Sequence, residues 1–162
     1  MKTTILILLT CITLFSCNKS NCKSCSLGKV AYVDSAYIAV PDIFTPNADG
    51  INDLLIVIQR NITSVQFTIK HNNRVEFQST SLSSGWDGMY KGKQAKEKTY
   101  SYNVQASTTS GRSLSLAGEI CLIRDNCSKT PLSACAFASQ FNFNSASFDP
   151  NLSSFESIKE CK

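Results

Sequence analysis

The chain has 162 residues, with 16 basic and 12 acidic side chains, eight cysteines and a single histidine, His71. The length suits one domain with additions, and a net charge of +4 without a long basic run argues against nucleic acid as a partner. One histidine argues against a multi-histidine metal site or a histidine-based triad, and no nucleophile–base pair with recognisable spacing points to an enzyme.

Residues 1–16 read as a signal peptide. Lys2 supplies the positive end, and the apolar run from Ile5 to Phe15 is too short for a comfortable membrane span. The segment ends in Leu14-Phe15-Ser16-Cys17, which resembles a bacterial lipoprotein cleavage box. Cys17 is then the lipidation site, and a covalent lipid there anchors the chain to the outer membrane, each buried CH₂ contributing roughly 0.8 kcal/mol. Cleavage leaves 15 basic and 12 acidic residues. Asn18 after Cys17 lacks the Asp of inner-membrane retention signals. By resemblance to other lipoproteins this gives an outer-membrane location.

Six further cysteines remain in an exported chain: Cys22, Cys25, Cys121, Cys127, Cys135 and Cys161. They are disulfide candidates with fifteen pairings open. Residues 17–39 read as a polar tether, and Cys22-x-x-Cys25 lies outside any thioredoxin-like pattern, so a structural role is expected.

Turn chemistry is dense at Phe44-Thr45-Pro46-Asn47-Ala48-Asp49-Gly50-Ile51-Asn52-Asp53. Asn, Asp and Gly tolerate φ > 0, and Asx side chains bond their own backbone. The run Leu54–Ile58 that follows is made of strand formers. A looser calcium site than an EF-hand can be drawn from Asn47, Asp49, the Ile51 carbonyl and Asp53, because Thr45 and Ile56 fall where an EF-hand needs carboxylates. The alternative is an Asx-rich turn satisfied by its own backbone.

From about Tyr37 to Arg124 the pattern is that of short strands. Val65, Phe67 and Ile69 alternate with polar residues, Asn72-Asn73 marks a tight turn, and Val75 and Phe77 resume the alternation. Between these and the next strand, Trp86 sits in Gly85-Trp86-Asp87-Gly88. It reads either as a plug for the end of the core or as an exposed ring that stacks on sugars. Tyr100, Tyr102, Val104 and Ala106 alternate next, Ser110-Gly111 turns the chain, and Leu114, Leu116 and Ile120–Ile123 complete the set. Short strands separated by turns predict an all-β, antiparallel two-sheet sandwich over residues 40–125, with a core small enough to benefit from disulfides.

Several ordered motifs carry a resemblance. Val40-Pro41-Asp42-Ile43 with the Phe44–Asp53 turn, then Gly85-Trp86-Asp87-Gly88-Met89-Tyr90-Lys91-Gly92-Lys93, then Thr99-Tyr100-Ser101-Tyr102 and Gly118-Glu119-Ile120-Cys121-Leu122-Ile123-Arg124 resemble the gliding-motility-associated C-terminal domain. This is the type B sorting domain of the Bacteroidetes type IX secretion system. The resemblance implies an immunoglobulin-like β-sandwich and a cell-envelope setting, with the cell surface favoured over the periplasmic face. Residues 126–162 extend beyond the similar region, and His71-Asn72-Asn73-Arg74 stands in place of the family's Asn-Arg-Trp-Gly turn.

The 126–162 extension holds Cys127, Cys135 and Cys161 and five phenylalanines: Phe137, Phe141, Phe143, Phe148 and Phe155. So many aromatics argue against a disordered tail. Two readings stand side by side: a tail clipped by disulfides over the sandwich with its Phe side inward, or an exposed patch in which Phe137, Phe141, Phe143 and Phe148 bind a partner. The function expected is that of an outer-membrane lipoprotein, an accessory subunit of a secretion, gliding or assembly machine whose partner is an outer-membrane barrel or another lipoprotein. The alternatives are a type IX secretion substrate domain, or a surface module for glycan or matrix that uses Trp86, Tyr90 and the loop around Asp49.

Overall fold

The computed structural model describes residues 22, 25–124, 135–156 and 158. Strands β1 (Lys29–Val33), β2 (Ala36–Val40) and β4 (Ile58–Arg60) form a three-stranded antiparallel sheet in the order β1-β2-β4. Strands β3 (Ile43–Phe44), β5 (Ile62–His71), β6 (Arg74–Ser79), β9 (Lys98–Thr108) and β10 (Ser113–Leu122) form a five-stranded sheet in the order β3-β10-β9-β5-β6. Two small hairpins complete the set. One pairs β7 (Met89–Tyr90) with β8 (Lys93–Gln94), the other β11 (Phe141–Asn142) with β12 (Ser147–Phe148).

The two larger sheets face each other across one core. Ala36, Ile38 and Val40 of β2 meet Val65, Phe67 and Ile69 of β5, Tyr100, Tyr102, Val104 and Ala106 of β9, and Leu114, Ile120 and Leu122 of β10. The fold is an all-β, immunoglobulin-like sandwich. Pairing departs from antiparallel at one edge, where β3 runs parallel to β10 through Ile43 and Cys121. The chain leaves the first sheet at β2, crosses on Pro41 and Asp42 alone, and joins the second sheet at that edge.

The alternation read for β5 and β9 places every expected side chain in the core. Asn72 and Asn73 take φ of 47° and 64°, the left-handed pair that a two-residue hairpin turn requires. Other segments differ from expectation. Pairing begins at Lys29, so residues 29–40, expected to include the end of a tether, are strands of the sandwich. The Leu54–Ile58 run is a strand only at Ile58, because Leu55 spends both backbone groups on Trp86, at 2.9 Å each. In β6 a register shift beside Ile69 and Lys70 turns Val75 outward, 40 % exposed, and Glu76 inward. The buried carboxylate of Glu76 is tolerated because Arg74 donates to Oε1 from Nη2 at 2.6 Å and from Nε at 3.1 Å.

Trp86 is the plug. Its ring is 0 % exposed, 5.3 Å from Phe44 and 4.8 Å from Tyr100 between centroids, and Nε1–H donates to the Met89 carbonyl at 2.9 Å. Beside it, Gly88 at φ 72° is fixed in identity, since a Cβ there would lie 2.8 Å from Pro46 Cγ and 2.9 Å from Arg124 Nη2. Arg124 spans the same point, donating to the carbonyls of Pro46 at 3.1 Å, Gly88 at 3.1 Å and Ala95 at 2.8 Å. Three sequence motifs thus converge on one corner of the sandwich.

Burial raises the Tyr100 phenol from its ordinary value of 10.0 to about 12, with Glu76 adding to the effect and Arg124 and Arg74 opposing it. Its O–H donates to the Lys96 carbonyl at 2.8 Å, a bond only the neutral form can make. Burial also raises Tyr102, helped by Asp42. The folded state therefore favours the protonated phenols. Their contribution is complete below pH 10 and is lost as pH climbs towards 12. In an alkaline titration, two of the five tyrosines are expected to ionise late and together with unfolding. Five tyrosines ionising together near the ordinary value in folded protein would contradict this.

Candidate functional site

The loop after β3 is shaped by its own backbone. Asp53 accepts the Ala48 N–H on Oδ1 and the Gly50 N–H on Oδ2, both at 2.7 Å. Asp49 Oδ1 accepts the Ile51 N–H at 2.8 Å, and Asn47 Oδ1 accepts the Asp49 N–H at 3.0 Å. Ala48, Gly50 and Asn52 take positive φ. Of the calcium candidates Asn47, Asp49, Ile51 and Asp53, the three side chains therefore spend oxygens on amide hydrogens. No group of three His, Cys, Asp or Glu side chains is placed to hold a metal ion among the described residues. Melting in millimolar calcium and in chelator is expected to coincide. A calcium-induced rise of about 5 °C or more, worth roughly 1 kcal/mol in a domain of this size, would contradict it.

The groups of this loop that the turn leaves over reach the C-terminal extension. Glu156 receives the Thr45 hydroxyl on Oε2 at 2.5 Å, the Asn52 amide on the same oxygen at 3.1 Å and the Asn47 amide on Oε1 at 3.3 Å. Asn52 also donates to the Ser154 carbonyl at 3.1 Å and accepts the Ser139 N–H at 3.3 Å. Thr45 is wholly buried, so Glu156→Ala leaves its hydroxyl without this acceptor. The expected cost is about 1–3 kcal/mol in urea denaturation, and an unchanged midpoint would contradict the contact.

Asp42 is a second tie. Its Oδ1 accepts the Ala136 N–H at 2.6 Å, its Oδ2 accepts the Ser26 N–H, and its own N–H donates to the Ala136 carbonyl at 3.2 Å. One buried carboxylate therefore holds the N-terminal segment and the extension together. The disulfides lie alongside. Cys22 pairs with Cys121 and Cys25 with Cys135, across sequence separations of 99 and 110. Around them Ile43, Ile123 and Phe137 form a separate apolar cluster with Ile158 against it. Cys22-x-x-Cys25 thus forks, one arm stapled to β10 and the other to the extension.

Beyond the staple the extension lies on the outer face of the three-stranded sheet. Tyr37 and Ala39 of β2 and Ile58 of β4 pack with Phe141, with Ala138, Ala146 and Phe148 at the margin. The Phe141 ring is 5.5 Å from Tyr37 and 5.1 Å from Phe148. This explains why every residue of β2 is buried: one face meets the sandwich core, the other meets the extension. Gln140 anchors the turn, accepting the Phe137 N–H at 3.0 Å and donating to the Leu152 carbonyl at 2.9 Å.

The clipped arrangement is the one formed. Phe137 and Phe141, also expected as partner contacts, are corrected to interior residues, because the sheet face and the disulfide cluster bury them. Phe148 is half-buried, and Phe143 is 57 % exposed. Trp86 is closed to a sugar ring, and Tyr90 carries Arg74 and Lys91 on its face at 4.7 and 5.3 Å. Cys17, Cys127 and Cys161 lie outside the described residues. Asp42 and Glu156 were not singled out by sequence reasoning. Asp42 lies within the Val40–Ile43 motif, but nothing local there reveals its bond to Ala136, 94 positions away, and Glu156 acts on Thr45, 111 positions away.

The CHU_C type IX secretion signal domain family model matches residues 38–119. The matched segment opens inside β2 and closes inside β10. It contains the Thr45–Asp53 loop and Trp86, whereas Cys135 and Glu156 follow it. No curated protein and no solved structure matches the chain.

Proposed function

The chain belongs to the CHU_C type IX secretion signal domain family, and from that membership together with the lipoprotein-like box Leu14-Phe15-Ser16-Cys17 we propose that it is a lipoprotein anchored in the outer membrane through Cys17 and serving as a structural or accessory subunit of a larger envelope machine. That machine works in secretion, gliding or outer-membrane protein assembly. The protein contributes binding and no catalysis, and its partner is an outer-membrane barrel or another lipoprotein. It faces the cell surface.

The observation that carries this reading is the extension. Residues after the family segment are stapled by Cys25–Cys135, tied by Asp42 and Glu156, and packed as a further layer on the sheet. A segment folded onto the domain in this way supports a lasting structural role for the extension. Phe143 and the rim of this layer remain exposed as contact surface.

Membranes solubilised in mild detergent test the proposal. Stoichiometric recovery with an outer-membrane barrel, loss of labelled fatty acid in Cys17→Ser, and cleavage by protease on intact cells are expected. Recovery of the lipidated protein as a lone monomer would overturn the subunit reading. The family match itself favours a second reading, a type IX secretion substrate. Periplasmic retention of the protein in cells that lack the type IX translocon would select it.

A further inference from the structure

Positive charge collects around the β7–β8 hairpin of the sandwich. The β5–β6 turn, the β7–β8 hairpin and the segment from Ala95 to Lys98 line an open groove of about 800 Å³. The whole chain carries 16 basic and 12 acidic side chains, a modest excess. The groove holds Arg74, Lys91, Lys93, Lys96 and Lys98 against one acid, Glu76. Glu76 is already taken by Arg74 at 2.6 Å, and none of the four lysines is in an ion pair among the described residues. Like charges gathered in a cleft focus a positive potential towards solvent. Lys98 registers the setting: burial lowers its pKa, Arg74 and Lys96 lower it further, and Glu76 opposes them.

The chemistry of the lining selects among anions. Lysines are point charges on flexible stems, suited to several spaced anionic groups rather than to one bidentate anion. A peptide partner ordinarily brings aromatic or aliphatic anchors that need apolar sockets. Of the apolar and aromatic members of this lining, Ala95 and Tyr100 are buried, and the half-buried Tyr90 ring is already faced by Arg74 and Lys91. The exposed amides of Asn72 and Gln94 offer bonds to hydroxyl groups instead. We propose that this groove binds an acidic polysaccharide, with Lys91, Lys93, Lys96 and Lys98 meeting carboxylates along the chain and the amides meeting hydroxyls. The site shares no residue with the extension, so it stands or falls apart from the envelope-complex reading.

Titration of the mature protein with polygalacturonate tests this, with neutral dextran and poly-glutamate as comparison probes. Binding is expected that weakens as salt is raised. The exposed pair K93Q/K96Q is expected to bind about tenfold more weakly at unchanged melting temperature, while K29Q/R112Q, outside the groove, stays within about twofold of the unsubstituted protein. No binding of polygalacturonate at low salt would overturn the proposal. So would equal affinity for dextran or poly-glutamate, or equal damage from K29Q/R112Q.

Discussion

Serine at both Cys25 and Cys135 is expected to cost about 2–5 kcal/mol and to free the extension while the sandwich stays folded. The bond closes a stretch of 110 residues, long enough that its loss returns much chain entropy to the unfolded state. The remaining ties are the Asp42 and Glu156 carboxylates, the Asn52 amide, the Arg60 bond to the Phe143 carbonyl and the packing of Phe137 and Phe141. Released, the extension uncovers Tyr37, Ala39 and Ile58, an apolar sheet face that binds hydrophobic dye. Cys22–Cys121 holds the N-terminal segment to β10 in the same variant, so the β9–β10 ladder is kept. Urea denaturation with dye binding reads both effects. A variant within about 0.5 kcal/mol of the unsubstituted protein, with no new dye binding, would show that the staple is incidental.

The other large effect is expected at Trp86. Alanine there removes the largest wholly buried side chain from a small core, at a cost of about 3–5 kcal/mol. The loss strips Phe44 and Tyr100 of their ring neighbour and leaves the Met89 carbonyl without the indole donor. Trp86→Phe keeps most of the packing and loses only the donor, so a smaller cost is expected. Equal stability of the alanine variant, measured by thermal and urea unfolding together, would contradict the plug role. Increased protease sensitivity at Leu55 should accompany the alanine change, because Leu55 is bridged to the Trp86 backbone.

How much of this was legible in the sequence depends on how far each signal travels along the chain. Val65, Phe67, Ile69 and the Tyr100–Ala106 set announce their strands because period-two alternation is local. Asn72-Asn73 announces its turn for the same reason. Motif order carried the family, and the disulfide-clipped tail was one of two open readings. The pairing of Cys22 with Cys121 and of Cys25 with Cys135 was not legible, since spacing alone does not choose among fifteen connectivities. Glu156 reaches Thr45 across 111 positions, and Asp42 reaches Ala136 across 94, distances that leave no trace in either neighbourhood. The inward Glu76 follows from a register shift that depends on the partner strand. The basic groove is assembled from three separate hairpin and loop segments, so no single run of lysines reveals it.

Hydrogen exchange on the oxidised mature protein tests most directly whether the extension is a layer of the fold. Amides of Ala136, Phe137 and Gln140, bonded to Asp42 and within the turn, are expected to exchange slowly, together with those of β2. Reductant is expected to speed exchange in residues 135–156 while β9 and β10 stay protected. Fast exchange throughout residues 135–156 in oxidised protein, at the rate of an unstructured peptide, would contradict the arrangement.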